Sequence, residues 1–154
     1  MANKDICLPM TAQISETIVY QNKVRALMSC PLDALFSLGH MQNPFSHASF
    51  GLIRGYIGHW EIHHDRLYLT GIYNETDFST NNLHKLFEGY DERVFAHWYS
   101  GTLRMPEGKL LEYLHLGFGS QYERDVVLKV KRGRITGKTV KDNKPCKMQR
   151  FLDI

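Results

Sequence analysis

Apolar and polar positions along this chain alternate with the two-residue period of strands, and turn residues interrupt the alternation at short intervals. The densest stretch runs from Arg93 to Val140. Arg93–Met105 (RVFAHWYSGTLRM) is rich in aromatic and β-branched residues and is followed by a turn signal, Pro106-Glu107-Gly108. Lys109–His115 (KLLEYLH) is expected to run back, Gly117–Ser120 to turn, and Gln121–Lys131 (QYERDVVLKVK) to form a third strand. Arg132-Gly133 is a two-residue hairpin signal leading into Arg134–Val140 (RITGKTV).

Earlier segments follow the same pattern. Glu16–Tyr20 and Lys23–Met28 are β-prone and separated by Gln21-Asn22, which predicts a hairpin. Pro31 opens a short helix, with Asp33 in its first turn, Leu32, Leu35 and Phe36 at helical spacing, and Gly39 as its stop. His40–Ser49 has no period and reads as a loop. Gly55–His63 places Tyr56, Gly58, Trp60 and Ile62 on one side and Ile57, His59, Glu61 and His63 on the other, before His64-Asp65 turns the chain into Arg66–Tyr73. Gly55, Gly58 and Gly71 inside these strand patterns predict bulges or close backbone approach. After the polar connection Asn74–Thr80, Thr80 is expected to cap a short helix carrying Leu83, Leu86 and Phe87, with Gly89 ending it. The expectation is an all-β fold, an antiparallel meander of about eight strands forming a barrel or two-sheet sandwich, with two short helices in a single domain over residues 1–154.

Charge changes this picture only at the C-terminal end. Residues 1–128 hold ten Lys and Arg against fourteen Asp and Glu, net −4, whereas residues 129–154 hold nine against two, net +7. A basic edge or tail suits phosphate or an acidic partner, but lysines on an edge strand also block sheet-to-sheet aggregation. With Phe151 as its one aromatic, the tail is expected to give at most weak nucleic-acid contact. Cys7, Cys30 and Cys146 are odd in number and far apart, which predicts separate reduced thiols. No apolar segment has the length of a signal peptide or membrane span, so a cytoplasmic location without membrane association is expected.

Two constellations could carry chemistry. His59, Glu61 and His63 alternate on one strand face and could contribute metal ligands, although the expectation is that no metal and no cofactor is bound, because a third anchored ligand has no motif. His97, Arg104, His115 and Glu123, with Asp125 nearby, come from neighbouring predicted strands and would be the catalytic set if the protein were an enzyme. Cross-strand ion pairs explain the same residues as sheet glue. Tyr99, Arg104, Glu112 and Tyr122 are the candidate binding residues, since rigid aromatic rings and arginine anchor interfaces. No phosphate loop, nucleophile elbow, H-E-x-x-H or paired C-x-x-C occurs, and no catalytic assignment is made.

Three blocks then stand out together: Arg54-Gly55-Tyr56-Ile57-Gly58-His59-Trp60-Glu61-Ile62, Phe95–Arg104 (FAHWYSGTLR) and Tyr113–Glu123 (YLHLGFGSQYE). With them, residues 50–143 resemble a family of small uncharacterised bacterial all-β proteins, with Ile53 and Phe118 departing from its pattern. The resemblance implies a bacterial cytoplasmic protein and carries no activity. Small size, an aromatic-rich sheet and the lack of a catalytic motif favour a binding role, an immunity-type protein that neutralises a toxin-like protein partner by surface occlusion. The alternative is a small-ligand-binding barrel or small enzyme built around the His/Arg/Glu set.

Overall fold

The computed structural model describes residues 12–39, 41–45, 49–74, 77–114 and 116–144. In chain order they form β1 (Glu16–Tyr20), β2 (Lys23–Leu27), α1 (Pro31–Ser37), β3 (Tyr56–His63), β4 (Arg66–Asn74), α2 (Leu83–Leu86), β5 (Val94–Phe95), β6 (Gly101–Glu112), β7 (Gln121–Lys131) and β8 (Arg134–Asp142). All eight strands join one mixed sheet in the order β2-β1-β3-β4-β8-β7-β6, with β5 pairing β4 beside that path. The all-β expectation therefore holds. Among the described residues no helix is long and apolar enough to cross a membrane.

The hairpin turns form where their residues predict. Gln21 and Asn22 have φ of 53° and 60°, His64 and Asp65 of 50° and 58°, and Arg132 and Gly133 of 48° and 81°. Two consecutive positive φ angles give the turn whose twist matches that of the flanking strands.

Three expectations are corrected. The sheet is not a simple antiparallel meander, because β1 and β3 run parallel with Ile18 opposite Trp60. Once β2 occupies one side of β1, the chain crosses through α1 and re-enters on the free side in the same direction. The β7–β8 hairpin then docks on β4 at its turn, where Leu67 N–H donates to Gly133 C=O and Ile135 N–H to Asp65 C=O. Arg93–Met105 is also not one strand. It splits into β5, a turn through His97 and Trp98, and β6. Conversely, Pro106-Glu107-Gly108 does not reverse the chain. Pro106 stays in the ladder opposite Asp125, and the register shift after Glu107 absorbs Gly108 (φ 84°) as a bulge. Lys109–Glu112 thus continues β6 instead of opening a return strand.

Alternation builds the core on one face of the curled sheet. Ile18, Tyr56, Trp60, Leu67, Leu69, Leu103, Met105 and Leu128 are buried there, and α1 adds Leu32 and Leu35 while α2 adds Leu83. Each such side chain removed from water contributes about 1.5–3 kcal/mol, which fixes the register of every strand that carries one. The curl brings the two end strands together. Met28 N–H donates to Arg104 C=O at 2.8 Å, and Arg104 N–H donates to Ser29 Oγ at 3.0 Å. No ladder joins β2 to β6, so the sheet is not closed.

Candidate functional site

The most buried polar group is the Glu16 carboxylate, which opens β1 on its apolar face. It accepts from Arg54 Nη2 at 2.8 Å, Gly58 N–H at 2.6 Å and Trp60 Nε1 at 3.1 Å. The strand glycine makes this possible, since a Cβ at Gly58 would lie 2.5 Å from Glu16 Oε1 and 2.7 Å from Trp60 Nε1. Burial pushes the Glu16 carboxyl up while Arg54 and the Gly58 N–H pull it back. Burial likewise works against the Arg54 charge, but the attraction and hydrogen bond of Glu16, together with Cys30 and Tyr56, hold Arg54 above its ordinary value. Beside the pair, Tyr56 Oη donates to Asp33 at 2.5 Å, and burial holds Cys30 firmly as the thiol. Each carboxylate here is committed to a structural donor, so the cluster pins α1, β1 and β3 to one another.

Arg104 does the same on the outer face. Its Nε donates to Asp125 Oδ1 at 2.9 Å, Nη1 to Phe118 C=O at 2.7 Å and Nη2 to Ser120 C=O at 2.9 Å. It thereby holds the loop after β6 against the sheet. The sequence blocks that contain Arg54, Arg104 and Phe118 meet at these two arginines, because the Phe118 ring also lies 5.9 Å from the Arg54 guanidinium.

The other expected site residues are spread out. His97 is exposed in the turn before β6, edge-on to Trp98 at 5.7 Å. Glu123 accepts from Lys109 N–H at 2.7 Å and pairs with Lys144. His115 lies outside the described residues, as do Cys7 and Cys146. Tyr99 is half-buried and donates to Thr102 C=O at 2.6 Å; Tyr122 is half-buried on β7, and Glu112 is exposed at the end of β6. His59 and His63 are exposed on β3 and Glu61 half-buried, as alternation predicts, but each histidine ring packs on another ring, Tyr73 and His64 respectively. Among the described residues no three His, Cys, Asp or Glu side chains form a metal-binding group.

Sequence reasoning missed two features. The first is the Glu16–Arg54 pair, whose signal was a charged residue on the apolar face of Glu16–Tyr20 opposite a strand glycine. The second is a band of exposed apolar residues. Gln13 ties three segments together: its N–H donates to Gly117 C=O, its Nε2 to Phe50 C=O, and its Oε1 accepts from Ile53 N–H. These segments expose Ile14, Phe50, Ile53, Leu114 and Leu116, and Phe50 is 75% exposed. Leu110 and Leu111 are also exposed, on β6. No family model, curated protein or solved structure matches the chain.

Proposed function

We propose that the protein is a bacterial, cytoplasmic binding protein of the immunity type, which neutralises a toxin-like protein partner by covering its working surface. The observation that carries this reading is the Ile14/Phe50/Ile53/Leu114/Leu116 band, because large exposed apolar side chains gathered on hydrogen-bonded loops suit a protein interface. The candidate polar residues favour the same reading. Arg104 and Glu123 spend their hydrogen bonds on loop and strand backbone and on neighbouring side chains rather than on a shared cavity. The curled sheet acts in this reading as a barrel-like scaffold that holds the loops rigid.

The test is chemical cross-linking and mass spectrometry in the native host, with wild type, a Phe50→Lys/Leu116→Lys variant and a Lys129→Glu control. A single stoichiometric partner retained by the control and lost by the band variant, and whose toxicity the wild type suppresses, is the expected result. Equal capture by both variants, or a partner whose activity is unaffected, would overturn the proposal.

A further inference from the structure

The two end strands of the sheet touch at Met28 and Arg104 and then part, leaving a cleft of about 300 Å³ lined by Lys23, Arg25, Pro106, Glu107, Gly108 and Arg124. Register shows which of these residues share the inner face. Arg25 lies opposite buried Ile18 and Lys23 opposite Tyr20; Arg124 lies opposite Glu107, two residues from buried Val126. From across the curl comes Lys138, which is opposite Leu128 in β8 and has its Nζ 5.6 Å from the Tyr20 ring centre. The Arg25 guanidinium lies 5.5 Å from the same ring. Three cations from β2 and β7 therefore line the cleft, and Lys138 of β8 stands against the Tyr20 ring that Arg25 also faces. Their counterions are Glu107, which pairs with Arg25 at 3.0 Å, and Asp142, opposite Arg124 in the ladder and already accepting from Lys144 N–H.

The positive charge at the mouth is thus in excess, and one donor is left over. Among the described residues Arg25 Nε is buried and has no hydrogen-bond acceptor. Buried N–H donors are normally paired, and Nε with Nη2 forms the edge of a guanidinium that grips two oxygens of one oxyanion. The Tyr20 ring holds that guanidinium in place before any ligand arrives.

We propose that this cleft binds a compact, multiply charged oxyanion of the phosphate class, with Arg25 as its bidentate anchor and Lys23, Arg124 and Lys138 as charge partners. The site shares no residue with the apolar band, so it stands or falls separately from the immunity reading.

The experiment is isothermal titration calorimetry of the full chain with pyrophosphate at low and physiological salt, comparing three variants of verified fold. Arg25→Met/Glu107→Gln removes the anchor and its counterion together and leaves the net charge unchanged. Lys138→Met removes one charge partner, and Lys129→Glu alters the opposite face, since Lys129 adjoins buried Leu128. Saturable one-to-one binding is expected, weakened about tenfold or more in the double variant, severalfold in Lys138→Met, and within about threefold of wild type in Lys129→Glu. Absence of saturable binding, or equal weakening by Lys129→Glu, would overturn the site. So would tighter binding to single-stranded oligonucleotides that grows with their length, because a diffuse basic surface would then be responsible.

Discussion

The β1–β2 hairpin carries two ion-paired groups on one face, and they are treated in opposite ways. At one end Glu16 is fully buried against Arg54 and also accepts from the Gly58 N–H and Trp60 Nε1. At the other, Arg25 and Glu107 have 15% and 31% of their side chains exposed, and Arg25 Nε has no partner among the described residues. The first end is roofed by α1 and the Leu52–Gly55 turn, and the second opens on the cleft. A buried polar network that is completely satisfied specifies one packing of the elements around it. One that is left incomplete beside solvent has capacity for a ligand. Residue type alone would not separate the two, since each is an Arg–Glu pair. The difference lies in how many neighbours reach each carboxylate.

The largest expected effect breaks the closed end. Arg54→Ala should destabilise by about 3–5 kcal/mol, because it strands a buried carboxylate, whereas Arg25→Ala should cost about 1 kcal/mol or less. Urea midpoints of the two variants measure the contrast directly, and similar losses would erase the distinction. Next comes the roof. Trp98 stacks on Phe87 at 5.6 Å and donates to Pro31 C=O at 2.9 Å, so Trp98→Ala should cost about 3 kcal/mol, the lower end for a large ring because it is only partly buried. A thermal melt within a degree of wild type would remove Trp98 from the closed end. Gly58→Ala should follow at about 1–3 kcal/mol, since its methyl would overlap the Glu16 carboxylate, and unchanged stability would mean that the pair can shift without loss.

These residues also show how far sequence reasoning carries. The hairpins were legible because Gln21-Asn22, His64-Asp65 and Arg132-Gly133 state their turns locally, and so was the inner face of β3, where Tyr56, Gly58 and Trp60 are buried. Gly58 within its strand pattern predicts a bulge or a close approach, and the Glu16 carboxylate is what comes close. What sequence could not state was which distant strand supplies that neighbour, because Glu16 and Gly58 meet only through the parallel β1–β3 pairing. The break after Phe95 was missed for a similar reason. Trp98 has strand-like propensity, but its indole is drawn to the carbonyl of Pro31 in α1, a tertiary contact that overrides the local pattern. Pro106 and Gly108 misled in the other direction, because an edge strand tolerates a residue without an N–H and a bulge tolerates a positive φ.

The smallest expected effect concerns the rim of the open end and depends on pH. Glu123 packs against Gly108, accepts the Lys109 N–H and pairs with Lys144, so it braces the bulge that lines the cleft. Its carboxyl is held down to about 2, first by the side-chain bond to Lys144 and then by the Lys109 N–H, against an ordinary value of 4.5. A carboxyl whose folded value lies below its unfolded value stabilises the fold above the unfolded value. That contribution is lost as pH falls from about 4.5 toward about 2. Glu123→Gln keeps the shape and removes the titration. The stability gap between wild type and this variant should therefore be constant above pH 5 and shrink steadily below it. Other acidic groups titrate in both proteins and cancel in the difference. High salt should reduce the part of the gap due to exposed Lys144 and leave the backbone part in place. A gap that stays constant down to pH 2.5 would mean that Glu123 braces nothing, and the rim of the cleft would have to be held by Arg25 and Glu107 alone.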